Sequence, residues 1–282
     1  MNKQQETSPS DRKKFIIGSN GRLAQAIINY YGDQGCFCLK REEYRNWGNI
    51  NDLSSVKEFF IPKLSPGDTI FITSGILNSK EEPSLVNEVN FLLPSNIIEA
   101  LQGLEVNIVT FGTILENLKS SENVYVQSKI RLSEKVKDFR SEFTRVTHFR
   151  LHTLYGYDLP SEFMFLGQIY SALKNNSVFN MTSGIQIREY HHLDDVVNSM
   201  EVLLSKNRIG VNEITSGNGI RLRDLALRIF AHFNSEHLLR MGELSIEQEE
   251  KYLNDYKRNV DLENIDFRDP FDGVIHYLKT IL

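Results

Sequence analysis

Tyr125 and Lys129 stand four residues apart in the run Tyr125-Val126-Gln127-Ser128-Lys129, the spacing that brings two side chains onto one face of a helix. A phenol exchanges protons poorly near neutrality because its reference pKa is about 10. An ammonium group one turn away stabilises the phenolate and draws the phenol toward working range. Such a pair suits proton exchange with an alcohol or a carbonyl, and the lysine can also hold a ribose hydroxyl. Twelve residues before the tyrosine, the apolar run 106–111 ends in Gly112-Thr113. Open sheets bind ligands at the carboxyl ends of their strands. A hydroxyl there is placed to hold the oxygen that the tyrosine protonates. Thr110, inside the run, is the poorer candidate. Taken alone, Tyr-x-x-x-Lys is what any surface helix can contain, so its meaning depends on its neighbours.

A second constellation is Gly18-Ser19-Asn20-Gly21-Arg22-Leu23-Ala24. Small residues let a backbone turn tightly and approach a pyrophosphate, and the free N–H groups opening the next helix favour an anion. The plain alternative is a tight turn with no ligand. The position argues for a dinucleotide, because the motif follows the first strand pattern, opens a helix pattern and precedes a second strand. That second strand ends in Lys40-Arg41, then Glu42 and Glu43. Basic residues there suit the 2′-phosphate of NADP, whereas an acid suits the ribose of NAD. NADP is the preferred expectation, and Glu42 leaves NAD open.

The elements that must position these groups follow from periodicity. Strand-length apolar runs cover 13–18, 36–40, 68–73, 105–111 and 143–151, and helical spacing covers 21–31, 53–60, 85–101 and 122–140. Alternation of this kind predicts crossover units and a doubly wound parallel sheet, an α/β fold. After Gly156 the rhythm loosens. Helices are expected over 163–173, 194–204, 221–233, 243–256 and 271–282, and strands over 185–191 and 211–215. The expected division is a polar, disordered tail over 1–12, a dinucleotide-binding domain over 13–155, and a region over 156–282 that is mainly a small cap, with some segments returning to the first body.

Composition excludes other classes. The formal net charge is −5, so no basic field argues for nucleic acid. No apolar run approaches the roughly 20 residues that span a bilayer, and no apolar leader opens the chain. The two cysteines, Cys36 and Cys38, flank Phe37 in a strand run and suit neither a Cys-x-x-Cys redox pair nor a zinc set. They are expected to be ordinary strand residues of a cytoplasmic protein, with no metal site.

With these motifs in their order, the chain resembles the extended short-chain dehydrogenase/reductase family of nucleotide-sugar epimerases, dehydratases and 4-ketoreductases. The resemblance covers roughly residues 13 to 280. It rests on Gly18, Gly21, Ala24, Tyr125 and Lys129, and on further stretches: Thr73-Ser74-Gly75, Asn90 within Val89-Asn90-Phe91, the segment from Arg150 to Gly156, and the run from Arg188 to Asp195. It implies a Rossmann-type sheet with a small C-terminal substrate-binding cap. It places cofactor contacts at Gly18, Asn20, Gly21, Arg22, Leu23, Lys40, Arg41, Asp52, Leu53, Thr73, Ser74, Gly75, Asn90, Tyr125 and Lys129. It places substrate contacts at Thr113, Leu154, Tyr155, Arg188 and Arg258. In that family the arginine at the position of Arg188 grips the nucleotide diphosphate, a role that fits the rigid guanidinium fork, and Arg258 resembles a second such residue. His191 and His192 are expected to be structural.

The short run Gly112-Thr113-Ile114-Leu115-Glu116-Asn117 looks most like the reductase branch that makes deoxy sugars for surface polysaccharides such as O-antigen. The expected reaction is reduction of a nucleotide-linked 4-keto-6-deoxy sugar, with Tyr125, Lys129 and Thr113 as the catalytic groups. C4 epimerisation with tightly bound NAD uses the same residues and is the second reading. A dehydratase is disfavoured because Thr113-Ile114 stands where it carries an acid. A cofactor sensor without catalysis is the third reading. A homodimer is what the resemblance implies.

Overall fold

The computed structural model of the chain describes residues 12–49, 53–78, 81–118, 121–245 and 256–282. Asp52, the expected tail apart from Arg12, and most of the expected helix over 243–256 lie outside these residues. The chain forms two compact units. One runs to Arg150 and includes Leu204–Glu213; the other comprises Leu151–Leu203 and the chain from Ile214 onward.

The first unit is built from β1 (Lys14–Ile17), α1 (Arg22–Tyr31), β2 (Cys36–Leu39), α2 (Leu53–Phe60), β3 (Thr69–Ile72), a helical run α3 over 83–100, β4 (Asn107–Thr113), α4 (Val124–Asp138) and β5 (Arg145–Leu151). A sixth strand, Gly210–Glu213, completes its sheet. The lateral order is Gly210–Glu213, β5, β4, β3, β1, β2. β1 pairs in parallel with β2 and β3, β3 with β4, and β5 with the sixth strand. Strands covered on both faces should be continuously apolar. Phe15, Ile16 and Ile17 of β1 and Ile70, Phe71 and Ile72 of β3 are all buried accordingly. This is the expected doubly wound α/β sheet. The chain leaves β1 toward β2 on one side and returns to β3 on the other. The loops after β1 and β3 therefore diverge at the carboxyl edge, which opens a crevice there.

Two local devices set side chains beside that edge. Within α3 the residues Glu88–Leu92 form a single π turn, a bulge that recurs at functional sites. Asn90 sits in it, fully buried. Its amide nitrogen donates to Ile76 O at 2.9 Å and to Ser128 Oγ at 3.2 Å, and its oxygen accepts from Ile76 N at 2.8 Å. At the start of α4, Asn123 Oδ1 accepts from the backbone N–H of Tyr125 at 3.0 Å and of Val126 at 3.3 Å. That N-cap fixes where the helix begins and so places Tyr125 in its first turn.

The second unit has helices Phe165–Asn175, Leu193–Ser205, Leu222–His232 and Pro270–Ile281 and three two-stranded pairs among the described residues. Its core gathers Ile169, Phe179, Ile229, Phe230 and Leu278. The single strand expected over 185–191 is two short strands, Ile187–Arg188 and Tyr190–His192. The break falls at Glu189, whose carboxylate is wholly buried. It accepts from His191 Nε2 at 2.7 Å, Thr215 Oγ1 at 2.9 Å and Ser216 N at 2.9 Å.

Burial pushes the Glu189 carboxyl up, but the His191 hydrogen bond, the charges of His152 and His191 and the Ser216 amide prevail and hold it at about 2 instead of 4.5. A depressed carboxylate stabilises the fold above its unfolded pKa and loses that contribution as pH falls through the folded value. Between about pH 5 and pH 2 the wild-type protein should lose up to about 3 kcal/mol from this group. Urea unfolding across that window should show a smaller acid loss in Glu189→Gln. Equal pH slopes in the two proteins would refute the assignment.

Candidate active site

Gly18 closes β1 with φ +92°, and a Cβ on it would stand 2.5 Å from the backbone nitrogen of Ser74. Glycine alone lets the two diverging loops pass this closely. Thr73 fastens them: its hydroxyl donates to Ile17 O at 2.8 Å, and the backbone nitrogens of Thr73 and Ser74 both donate to Ile17 O at 2.9 Å. Above this seam Ser74 Oγ and Arg22 Nη1 are buried with no hydrogen-bond partner. Orphaned polar atoms of this kind are rare and call for a ligand or water. With the N-terminus of α1 opening at the same turn, the cradle fits a diphosphate. Asn20 is exposed and Leu23 half-buried on its rim. Lys40 and Arg41 are exposed at the end of β2. The Glu43 carboxylate accepts from Lys40 N at 2.7 Å, which turns that acid toward the backbone. Leu53, the first residue of α2, packs into the core of this unit.

At the far end of the crevice, Lys129 is buried at 7% exposure and its Nζ donates to Phe111 O at 2.9 Å. A Cβ on Gly75 would lie 3.7 Å from that Nζ and 3.5 Å from Asn90 Oδ1, so the exposed backbone of Gly75 borders both polar groups. The Thr113 side chain acts on the Tyr125 phenol and draws it down. The structure thus brings together Gly75, Asn90, Thr113, Tyr125 and Lys129 at the carboxyl ends of β3 and β4.

The electrostatics differ from the sequence expectation, in which Lys129 pulls the Tyr125 phenol down. Burial, then the Glu116 carboxylate, instead push it up, against the Thr113 hydrogen bond. Burial lowers Lys129 to about 8, while Glu116 holds it up. A phenol in this state is a proton donor over the whole neutral range.

Glu116 is not among the residues that sequence motifs single out, and neither is the network it centres. It lies in the 3₁₀ turn Ile114–Asn117 directly after β4 and is 2% exposed. One oxygen accepts from Thr113 N at 2.8 Å and from His148 Nε2 at 3.1 Å; the other accepts from Arg150 Nε at 2.8 Å. His148 Nδ1 meets Thr110 Oγ1 at 2.8 Å. Arg150 also donates to Asn117 Oδ1 at 2.7 Å and Ser133 Oγ at 3.1 Å. Two signals do point to it. Thr113-x-x-Glu116 is a capping-box pattern, and His148 and Arg150 share one side of a strand.

The expected substrate residues other than Thr113 lie in the second unit. Leu154 and Arg188 are half-buried there, with Arg188 Nη1 donating to Ile187 O at 2.8 Å. Tyr155 does not line a surface. It is 0% exposed in the core between His192 and Tyr277, because in its short strand both neighbouring faces are covered. Arg258 is engaged through Nε and Nη2 by the carbonyls of Leu262, Glu263 and Ile265. That makes it a clamp on its own turn rather than a ready phosphate fork. His191 is structural through Glu189.

Residues 15–215 match the pattern of the NAD dependent epimerase/dehydratase family. Solved structures resemble the chain over nearly its whole length. A dTDP-4-dehydrorhamnose reductase from Clostridium acetobutylicum is 16% identical, covers 95% of this chain with 99% of its own, and has a TM-score of 0.71. RMD from Pseudomonas aeruginosa, complexed with NADPH, is 14% identical over 96% and 100% of the two chains, with a TM-score of 0.74. UDP-glucose 4-epimerase from Thermotoga maritima, with UDP-glucose, is 12% identical over 95% and 98%, also at 0.74. At such identities the likeness establishes the fold, which reductases and epimerases share.

Proposed function

The chain belongs to the NAD dependent epimerase/dehydratase family, and we propose that it reduces the keto group of a nucleotide-linked 4-keto-6-deoxy sugar with NADPH. The observation that supports this reading is a buried Lys129, bonded to Phe111 O at 2.9 Å at the end of the strand that carries Thr113 and one helical turn from Tyr125. A nicotinamide dinucleotide, when bound, supplies the hydride. Gly18, Arg22 and Ser74 are the residues to hold its diphosphate, and Gly75, Asn90 and Lys129 border the position of its ribose. Tyr125 gives its proton to the oxygen that develops negative charge at C4. The Thr113 hydroxyl donates to that same oxygen. Lys129, itself buried, contributes positive charge with little solvent screening, where such charge acts strongly. Arg188 is the candidate for the nucleotide diphosphate. The same reading expects a homodimer and a place in surface-polysaccharide sugar synthesis.

C4 epimerisation is the second reading. Glu42 beside Arg41 leaves NAD acceptable, and the structural likeness to an epimerase is as strong as to a reductase.

Rates of NADPH and NADH oxidation against CDP-, dTDP-, GDP- and UDP-linked 4-keto-6-deoxy sugars test the proposal. The wild-type protein should prefer NADPH. Lys40→Ala with Arg41→Ala should cut that preference by about tenfold or more, since a charge-assisted hydrogen bond contributes about 1.5–3 kcal/mol. Purified protein that holds NAD tightly and interconverts hexoses without consuming NADPH would replace this reading with the epimerase.

A further inference from the structure

A buried carboxylate is costly unless it is paired and hydrogen-bonded. A neutral side chain would cap the turn after β4 equally well. The fold nevertheless clears space for Glu116: a Cβ on Gly112 would stand 1.8 Å from its Oε1 and 2.3 Å from His148 Nε2. Strand β4 thus has no side chain at the one position where Glu116 must enter. The carboxylate then accepts from the backbone N–H of Thr113 at 2.8 Å, while Lys129 donates to Phe111 O at 2.9 Å, so both charged groups meet the end of β4.

We propose that Glu116 is a positioning residue for proton donation: it anchors the Thr113 turn through its backbone and sets a negative charge against Gly112, next to the Phe111 carbonyl that holds Lys129. The proposal rests on the reading of the site as a carbonyl reductase. Its charge is secure, because His148, the Thr113 amide and Arg150 together outweigh the effect of burial and keep the Glu116 carboxyl below its ordinary value. Its influence reaches both catalytic groups, raising Lys129 and Tyr125 alike. The other charged or titratable groups around it are His148 and Arg150 on β5 and Tyr125 and Lys129 on α4. Burial, foremost, lowers His148 and leaves it neutral, with Nε2–H donating to Glu116. Among the described residues, Glu116 is the carboxylate that acts on Lys129.

Glu116→Gln preserves the shape of the side chain and removes its charge. The test is the titration of Lys129 in protein carrying isotopically labelled lysine, its signal assigned by its loss in Lys129→Met. The wild-type midpoint should lie near pH 8. In Glu116→Gln it should fall by on the order of one pH unit, the size of effect a single nearby charge produces. The alkaline limb of the NADPH-dependent reduction rate should move down with it, while KM for NADPH stays in place. Glu116→Gln leaves Arg150 without its counter-charge and risks misfolding. Glu116→Gln with Arg150→Gln replaces the ion pair by two amides and should show a displacement in the same direction, smaller because a positive charge leaves with the negative one. An unmoved Lys129 midpoint in either folded variant overturns the proposal. A displaced midpoint in a protein that reduces none of the nucleotide sugars upholds the role of Glu116 and removes the proposed reaction instead.

Discussion

Tyr125→Phe should lower turnover by roughly a hundredfold to ten-thousandfold, the range that positioned general acids contribute. The expectation follows from where the phenol stands. Its ring is held by a helix whose first turn is fixed by Asn123, one turn before the buried Lys129. Phenylalanine preserves the ring and its packing, so the helix, the Lys129 bond to Phe111 O and the dinucleotide cradle should survive. NADPH affinity, measured by fluorescence titration, should therefore stay near wild type while kcat collapses. Removal of an interaction made only as charge develops lowers kcat and kcat/KM together. A variant with wild-type kcat would show that another group donates the proton. A variant with lost NADPH affinity would show that the phenol serves binding rather than chemistry.

Gly18→Ala should abolish measurable dinucleotide binding and weaken the fold. The added methyl would lie 2.5 Å from Ser74 N and 2.7 Å from its Cα, both backbone atoms that cannot swing aside. The residue would also have to hold φ near +92°, a conformation that costs non-glycine residues on the order of 1–3 kcal/mol. Either the two loops separate or the turn changes its path. Both outcomes break the seam made by Thr73 and Ile17 and move Ser74 and Arg22 away from the diphosphate position. Calorimetric titration with NADPH at a temperature where the variant is still folded separates the two effects. Wild-type affinity in the folded variant would disprove the cradle.

The sheet is legible in the sequence because its cues are local. Buried strands such as Phe15–Ile17 and Ile70–Ile72 are unbroken apolar runs, and a glycine at the end of the first of them announces the turn. The Tyr125–Lys129 pair is equally local, since its spacing alone fixes a shared helix face. What escapes a sequence depends on pairing across the sheet. Glu116 and Arg150 are 34 residues apart and meet because β5 lies beside β4. A sequence shows each as a plausible surface charge. The direction of the Tyr125 shift is hidden for the same reason, since it is raised first by burial under the surrounding fold and then by a carboxylate from outside the helix that carries the tyrosine. Arg258 differs. A guanidinium suits a phosphate or a set of carbonyls equally well, and only the fold of its turn decides. The π turn under Asn90 and the strand break at Glu189 also reflect tertiary demands, an amide turned toward Ile76 and a carboxylate drawn into a polar core, that no propensity contains.

In the proposed reaction a hydride moves to a sugar carbon while Tyr125 protonates the attached oxygen. Its most direct test is the fate of deuterium from the reactive position of labelled NADPH, read by NMR of the product formed from a nucleotide-linked 4-keto-6-deoxy sugar. The account predicts one deuterium at C4 of the product for each NADPH consumed by the wild-type protein, and labelled product formed at least about a hundredfold more slowly with Tyr125→Phe. Product without deuterium, or equally fast transfer in the variant, would contradict it.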